Sequence, residues 1–222
     1  MRKATLIAGL LVLAFAWGGP LPGAAATSFT AHMIVHMSVV ALAAPLIAIG
    51  ISGTKLDPSA RLPRLFSPVL AAMLEFAIVW GWHMPLLHIA ARQNGLVNIA
   101  EQASFLGGGI LLWLSCLNRA AGGATSGAVA GALIGTLGLL LTSMHMTLLG
   151  ALIAFASRPL YVENGVPICG SDPATAVADQ QLGGVIMLFA GGLIYLAGGL
   201  ALMARVVLKE PPPSSSHREA SP

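Results

Sequence analysis

Two His-Met pairs, His32-Met33 and His36-Met37, stand four residues apart at the start of an apolar run. On a helix, positions i and i+4 share one face about 6 Å apart along the axis, so the two imidazoles point the same way, with Met33 and Met37 in a row beside them. Imidazole with thioether is a donor set for copper, Cu(I) especially, and a poor one for hard cations that want oxygen. Three more histidines lie in apolar surroundings: His83 and His88 on either side of Pro85, and His145 between Met144 and Met146. Glu101, Asp179 and Gln180 are candidates for the second rank, polar groups that orient metal-binding rings from behind.

The elements that must hold these residues are membrane helices. Of 222 residues, 56% are hydrophobic and 9% charged, with a mean hydropathy of +0.84, where a soluble domain has roughly 25% charged residues. Several apolar runs can span about 30 Å of hydrocarbon as helices, and the alternation of a membrane barrel is absent. The fold class is all-α, a polytopic transmembrane helix bundle of five spans. The spans run from about Phe29 to Ile51, Ser67 to Ala91, Leu96 to Leu117, Thr125 to Ala156, and Gln181 to Leu208.

Residues 1–26 carry Arg2 and Lys3, an apolar stretch and a small-residue ending, the pattern of a secretory signal peptide or of a sixth helix. Residues 27–208 then form the bundle. Residues 209–222, rich in proline and serine, are expected as a disordered cytoplasmic tail.

A net charge of +3 is spread between apolar segments and forms no basic patch, which argues against nucleic acid as a partner. The basic residues act instead as topology signals, since cytoplasmic loops carry the excess of Lys and Arg. Nine fall on one side (Arg2, Lys3, Lys55, Arg61, Arg64, Arg119, Arg205, Lys209, Arg218) and two on the other (Arg92, Arg158). The first side is therefore expected to be cytoplasmic, the C-terminus with it. Cys116 and Cys169 fall on opposite sides, too far apart for a disulfide.

With that orientation, five of the six histidines lie in the outer half, on three helices. Coordinating side chains in a membrane are costly and mark functional sites. His83 and His88 are about 140° apart on a regular helix, so sharing one site requires a kink, which Pro85 can supply. Glu75 lies nearer the inner half, where pairing with a neighbouring helix is the expected role. Gly184, Gly191, Gly192, Gly198 and Gly199 in the last span, with Gly127, Gly131 and Gly135 in the one before, have the spacing of close helix packing.

Phe29-Thr-Ala-His-Met followed by His36-Met37, Trp82-His83-Met84-Pro85, Ser104-Phe-Leu, Leu149-Gly-Ala-Leu, Arg158-Pro-Leu-Tyr161 and Asp179-Gln-Gln-Leu-Gly-Gly with Ile186-Met187 occur in that order. Together they resemble the CtaG family of cytochrome c oxidase assembly factors, from about Phe29 to Tyr195. The resemblance implies an inner-membrane protein that helps mature a terminal oxidase by handling copper, with His32, His36, His83 and the Asp179-Gln180-Gln181 cluster as motif positions. Three positions depart from the family pattern: Gln102 and Asn98 stand where histidines are common, and His88 where an aromatic residue is usual.

The function expected is copper binding through His32, His36, His83 and His145, with Met33, Met37 and His88 as further ligands, and delivery to oxidase subunits. Membrane lipid and a periplasmic copper donor are the other expected partners. No phosphate loop, nucleophile elbow or HExxH motif points to catalysis. The alternative is a b-type haem oxidoreductase whose iron is held by two of the same histidines. A channel or permease is disfavoured because the inner half offers little polar lining beyond Glu75.

Overall fold

The apolar tracts fold as helices, and the breaks between them fall at proline, glycine and serine. A computed structural model of the chain describes residues 2–59, 61–120, 125–163, 165–168 and 173–208. The expected tail and Cys169 lie outside the described residues, while Cys116 is a free thiol buried in the core.

Helix α1 (Arg2–Gly18) and the short α2 (Leu21–Ala25) precede α3 (Phe29–Met37). A π-helical turn (Ser38–Ala43) joins α3 to α4 (Ala44–Ile51), so that residues 29–51 form one continuous span. Helix α5 (Pro68–His83) breaks at Met84 into α6 (Pro85–Gln93), and the two are bent by 72°. Then come α7 (Gly95–Ala120), α8 (Thr125–Ala154), a two-strand hairpin of β1 (Val162–Glu163) and β2 (Val166–Pro167), and α9 (Pro173–Val207).

The spans at Phe29–Ile51, Gly95–Asn118, Val129–Ala154 and Thr175–Arg205 are each long and apolar enough to cross a membrane, and the bent α5–α6 pair makes a fifth if taken as one. That is the helical bundle expected from hydropathy. The last helix begins at Pro173 rather than near Gln181. Its second and third turns carry Asp179, Gln180 and Gln181, and hydropathy alone cannot see a helix that continues as polar turns past its apolar run.

Close backbone approach sets the packing. A Cβ on Gly184 would come within 2.5 Å of the Ala154 nitrogen, and one on Gly150 within 2.6 Å of the Leu188 nitrogen, so α8 and α9 touch backbone to backbone where only glycine fits. The N-terminal helix is packed in the same way. A Cβ on Gly50 would meet Leu6 at 2.7 Å and one on Gly9 would meet Ile47 at 2.8 Å, which runs α1 antiparallel to α4.

The core includes Met33, Val40, Phe105, Leu112, Trp113, Leu139, Met146, Met187 and Tyr195. Leucines such as Leu137 and Leu152 on α8, and Leu193 and Leu200 on α9, remain exposed. In water that would be costly, whereas in lipid it is the expected outer surface.

Candidate metal centre

Helix α3 delivers His32 and His36, and its start is fixed from two directions. Ser28 Oγ accepts the Ala31 N–H at 3.2 Å as an N-cap. The carboxylate of Asp179 on α9 accepts from Ser28 Oγ (2.8 Å), the Phe29 N–H (2.6 Å) and the Thr30 N–H (3.2 Å). A carboxylate against the N-terminal N–H groups of a helix is charge-assisted and complements the helix dipole. Asp179 therefore places α3, and through it His32, by holding backbone and the Ser28 hydroxyl rather than by touching a ring.

Gln180 works similarly. Its Oε1 accepts the Leu160 N–H at 2.7 Å and its Nε2 donates to the Arg158 carbonyl at 3.4 Å, while Gln181 Nε2 donates to the Ala156 carbonyl at 3.1 Å. These bonds hold the segment that carries Tyr161. The Tyr161 ring lies 4.2 Å from His88 and 5.0 Å from Phe29, centroid to centroid.

The bend at Met84 solves the azimuth problem posed by His83 and His88. Helix α5 ends with His83 turned inward, and α6 then lies across the end of the bundle with His88 and Ala91 buried and Leu86 exposed. The histidines meet in two layers. In the outer layer His32 and His88 are 4.9 Å apart edge to face, and one turn deeper His36 and His83 are 5.3 Å apart. Phe105 of α7 closes the deeper layer at 4.1 Å from His36.

Glu101 joins the outer layer. Its Oε2 accepts from Arg92 Nη2 (2.7 Å), Gln102 Nε2 (3.3 Å) and Asn98 Nδ2 (3.5 Å). Its Oε1 has no hydrogen-bond partner and faces His32 Nε2 at 3.9 Å. One atom each from His32, His88 and Glu101 lie within 4.8 Å of one another, all three side chains are buried, and this is the one such group of three among the described residues.

The deeper pair is prepared in a different way. His83 Nδ1 lies 2.7 Å from the Val79 carbonyl oxygen. A carbonyl only accepts, so Nδ1 carries the proton and Nε2, which has no partner, keeps its lone pair free. Both nitrogens of His36 are likewise without partners.

His145 stands apart. It is buried on α8, its ring meets Phe76 at 5.3 Å, and among the described residues it makes no ring contact with another histidine. Phe76 precedes His83 by seven residues, or about 10 Å of helix, so His145 sits deeper than either layer. Met33 and Met37 are core residues, and the Cγ of Met33 would lie 3.0 Å from a Cβ on Gly183.

Arg92 gave no sign of chemistry in the sequence beyond its charge. It follows His88 by four residues on α6, the same-face spacing that could have flagged it. The family model for the cytochrome c oxidase caa3 assembly factor (Caa3_CtaG) matches residues 1–209. The chain belongs to this assembly-factor family. Comparison with curated proteins and with solved structures gives no match. Membership of the caa3 assembly-factor family agrees with the resemblance carried by the ordered motifs, and three of the four layered histidines, His32, His36 and His83, lie in those motif segments.

Proposed function

We propose that this assembly factor takes up a copper ion between His32, His88 and Glu101 at the outer end of the bundle and passes it to an oxidase subunit. The observation that carries this reading is the convergence of three buried ligand atoms within 4.8 Å, with His32 Nε2 and Glu101 Oε1 left without hydrogen bonds. Buried polar atoms are almost always paired. A ligand that accepts several lone pairs at once accounts for the gap.

Two imidazoles and a carboxylate form a borderline donor set, for which affinity among divalent first-row metals peaks at copper. Glu101 is already paired with Arg92 at 2.7 Å, so the site has little net negative charge. Such a site holds its ion less firmly than an unpaired carboxylate would, which fits a protein that must give the ion up. His36 and His83, one turn deeper, offer a second resting place along the same faces.

The geometry favours an ion over haem. A porphyrin needs a flat slot between its two axial rings, and the paired rings are already in contact at 4.9 and 5.3 Å with Phe29, Tyr161 and Phe105 packed around them. The charge bias of the loops supports an orientation with the histidine end outward and the C-terminus in the cytoplasm of a bacterial cell, and on this reading copper arrives from the periplasmic side. Metal analysis with an absorption spectrum of the purified protein tests the reading. Copper near one equivalent that disappears in His88→Ala supports it, and a stoichiometric Soret band overturns it.

A further inference from the structure

A cavity of about 360 Å³ opens beside the histidine layers, between the α1–α2 segment and α7. Trp17, Val35, Ile99 and Ala103 make its apolar wall, and His32 and Arg92 stand at its polar end. Trp17 is held there by its indole N–H, which donates to Gln102 Oε1 at 3.1 Å. Trp17 and Ile99 are exposed, so the rim of the cavity is apolar. The volume lies in the range of pockets that take small organic ligands, about 300–1,000 Å³.

The polar end restricts what could enter. The charge of Arg92 is balanced by Glu101 at 2.7 Å, but its Nε–H is buried and has no acceptor. What is missing is a hydrogen-bond acceptor without charge. We infer that this cavity binds a lipid-soluble molecule with a neutral carbonyl headgroup, the carbonyl accepting from Arg92 Nε and the apolar body lying along Trp17 and Ile99. An alkyl quinone and the acyl ester of a membrane lipid share that chemistry. The inference does not depend on copper, and it requires residues 1–26 to be present, since Trp17 forms part of the wall.

Titration of the purified full-length chain with decyl-ubiquinone, followed by quenching of tryptophan emission, tests the quinone. Reconstitution in dioleoylphosphatidylcholine vesicles doped with brominated phosphatidylcholine tests the ester. Saturable quenching by either probe is expected, and it identifies the source. Ala103→Phe, a substitution at an exposed position that fills the cavity, is expected to weaken saturable binding at least tenfold while copper content stays unchanged. Trp17→Phe is expected to remove most of the saturable signal.

Decylbenzene, which lacks carbonyls, is expected to compete at least tenfold less well than the quinone. Equal competition overturns the assigned headgroup. Quenching by both probes that rises linearly and is indifferent to Ala103→Phe and Trp17→Phe overturns the pocket. So does undiminished binding to a preparation whose intact mass lacks residues 1–26. Loss of copper binding with saturable quenching retained would fault the copper reading alone.

Discussion

Around Glu75, midway along α5, both carboxyl oxygens have partners: Tyr195 Oη donates to Oε1 at 2.8 Å and Thr142 Oγ1 to Oε2 at 3.1 Å. Toward the other end of the same bundle, His32, His36, His83 and His88 all carry ring nitrogens with no partner. Both groups are buried in an apolar surround, yet only one is complete. The Glu75 cluster ties α5, α8 and α9 together and leaves none of its side-chain oxygens without a partner. The histidine layers leave several nitrogens so, and an unsatisfied buried polar atom costs about 1–3 kcal/mol until something binds it. Completeness marks a fastening, and unpartnered atoms from several residues that converge mark a site; His145, unpartnered but alone, is neither.

That contrast can be broken by exchanging the expected effects of substitution. The largest effect is expected at the outer layer: His88→Phe should lower copper affinity at least a hundredfold while the unfolding midpoint of the copper-free protein moves little, because a ring still packs on Phe29 and Tyr161 and the imidazole gives up no hydrogen bond. His145→Ala, with its ring against Phe76, should change affinity less than threefold in the same competition assay. A large loss there would put His145 in the site and dissolve the distinction between the layers and an isolated ring.

Glu75→Ala should behave in the opposite sense. Thr142 loses its carboxylate partner, and Tyr195 keeps the Val40 carbonyl at 3.2 Å. Unfolding in detergent should show a loss of about 1–3 kcal/mol, with copper affinity within twofold of the parent and Glu75→Gln recovering much of the stability. A smaller and mixed effect is expected for Asp179→Ala. Removing the charged cap of α3 should cost about 1–2 kcal/mol and, because His32 rides on that helix, about tenfold in copper affinity.

The smallest effect belongs to a second fastening, at the end of the bundle away from the histidines. Asp57 accepts from the Gly53 N–H (2.7 Å), the Ser59 N–H (2.9 Å) and Asn118 Nδ2 (3.0 Å). Partial burial pulls its carboxyl upward, but these hydrogen bonds outweigh it and hold the group below its ordinary value of 3.8. A lowered value in the folded state gives stability that is complete above the unfolded value and is lost as pH falls through the folded one. Asp57→Asn should therefore flatten the decline of the unfolding midpoint below about pH 4 and leave copper binding at neutral pH alone.

The spans were legible because hydropathy and length are one-dimensional, and so was the depth of His32, His36, His83 and His88, which follows from helix rise. The kink at Pro85 was legible from the ring and its missing N–H. Azimuth was not. Which histidine meets which depends on the 72° bend after His83 and on the phase of α3, and neither can be computed from spacing. For that reason the three-ligand group centres on His32 and His88 with Glu101, while His36 pairs with His83 one turn deeper. Asp179 and Gln180 were visible as motif residues, but their backbone partners on other segments were not.

The π-helical turn Ser38–Ala43 holds one residue more than an α-helix would use over the same rise. On its inner side, Ile47 and Gly50 pack closely against Gly9 and Leu6 of α1, where a Cβ on either glycine would clash. On its outer side, His32 and His36 must face α6 and α5. The extra residue is an indexing joint that lets one continuous span serve two unrelated bearings. Deleting a single residue from this turn would keep the span long enough to cross the membrane, yet swing both imidazoles about 100° away from their partners.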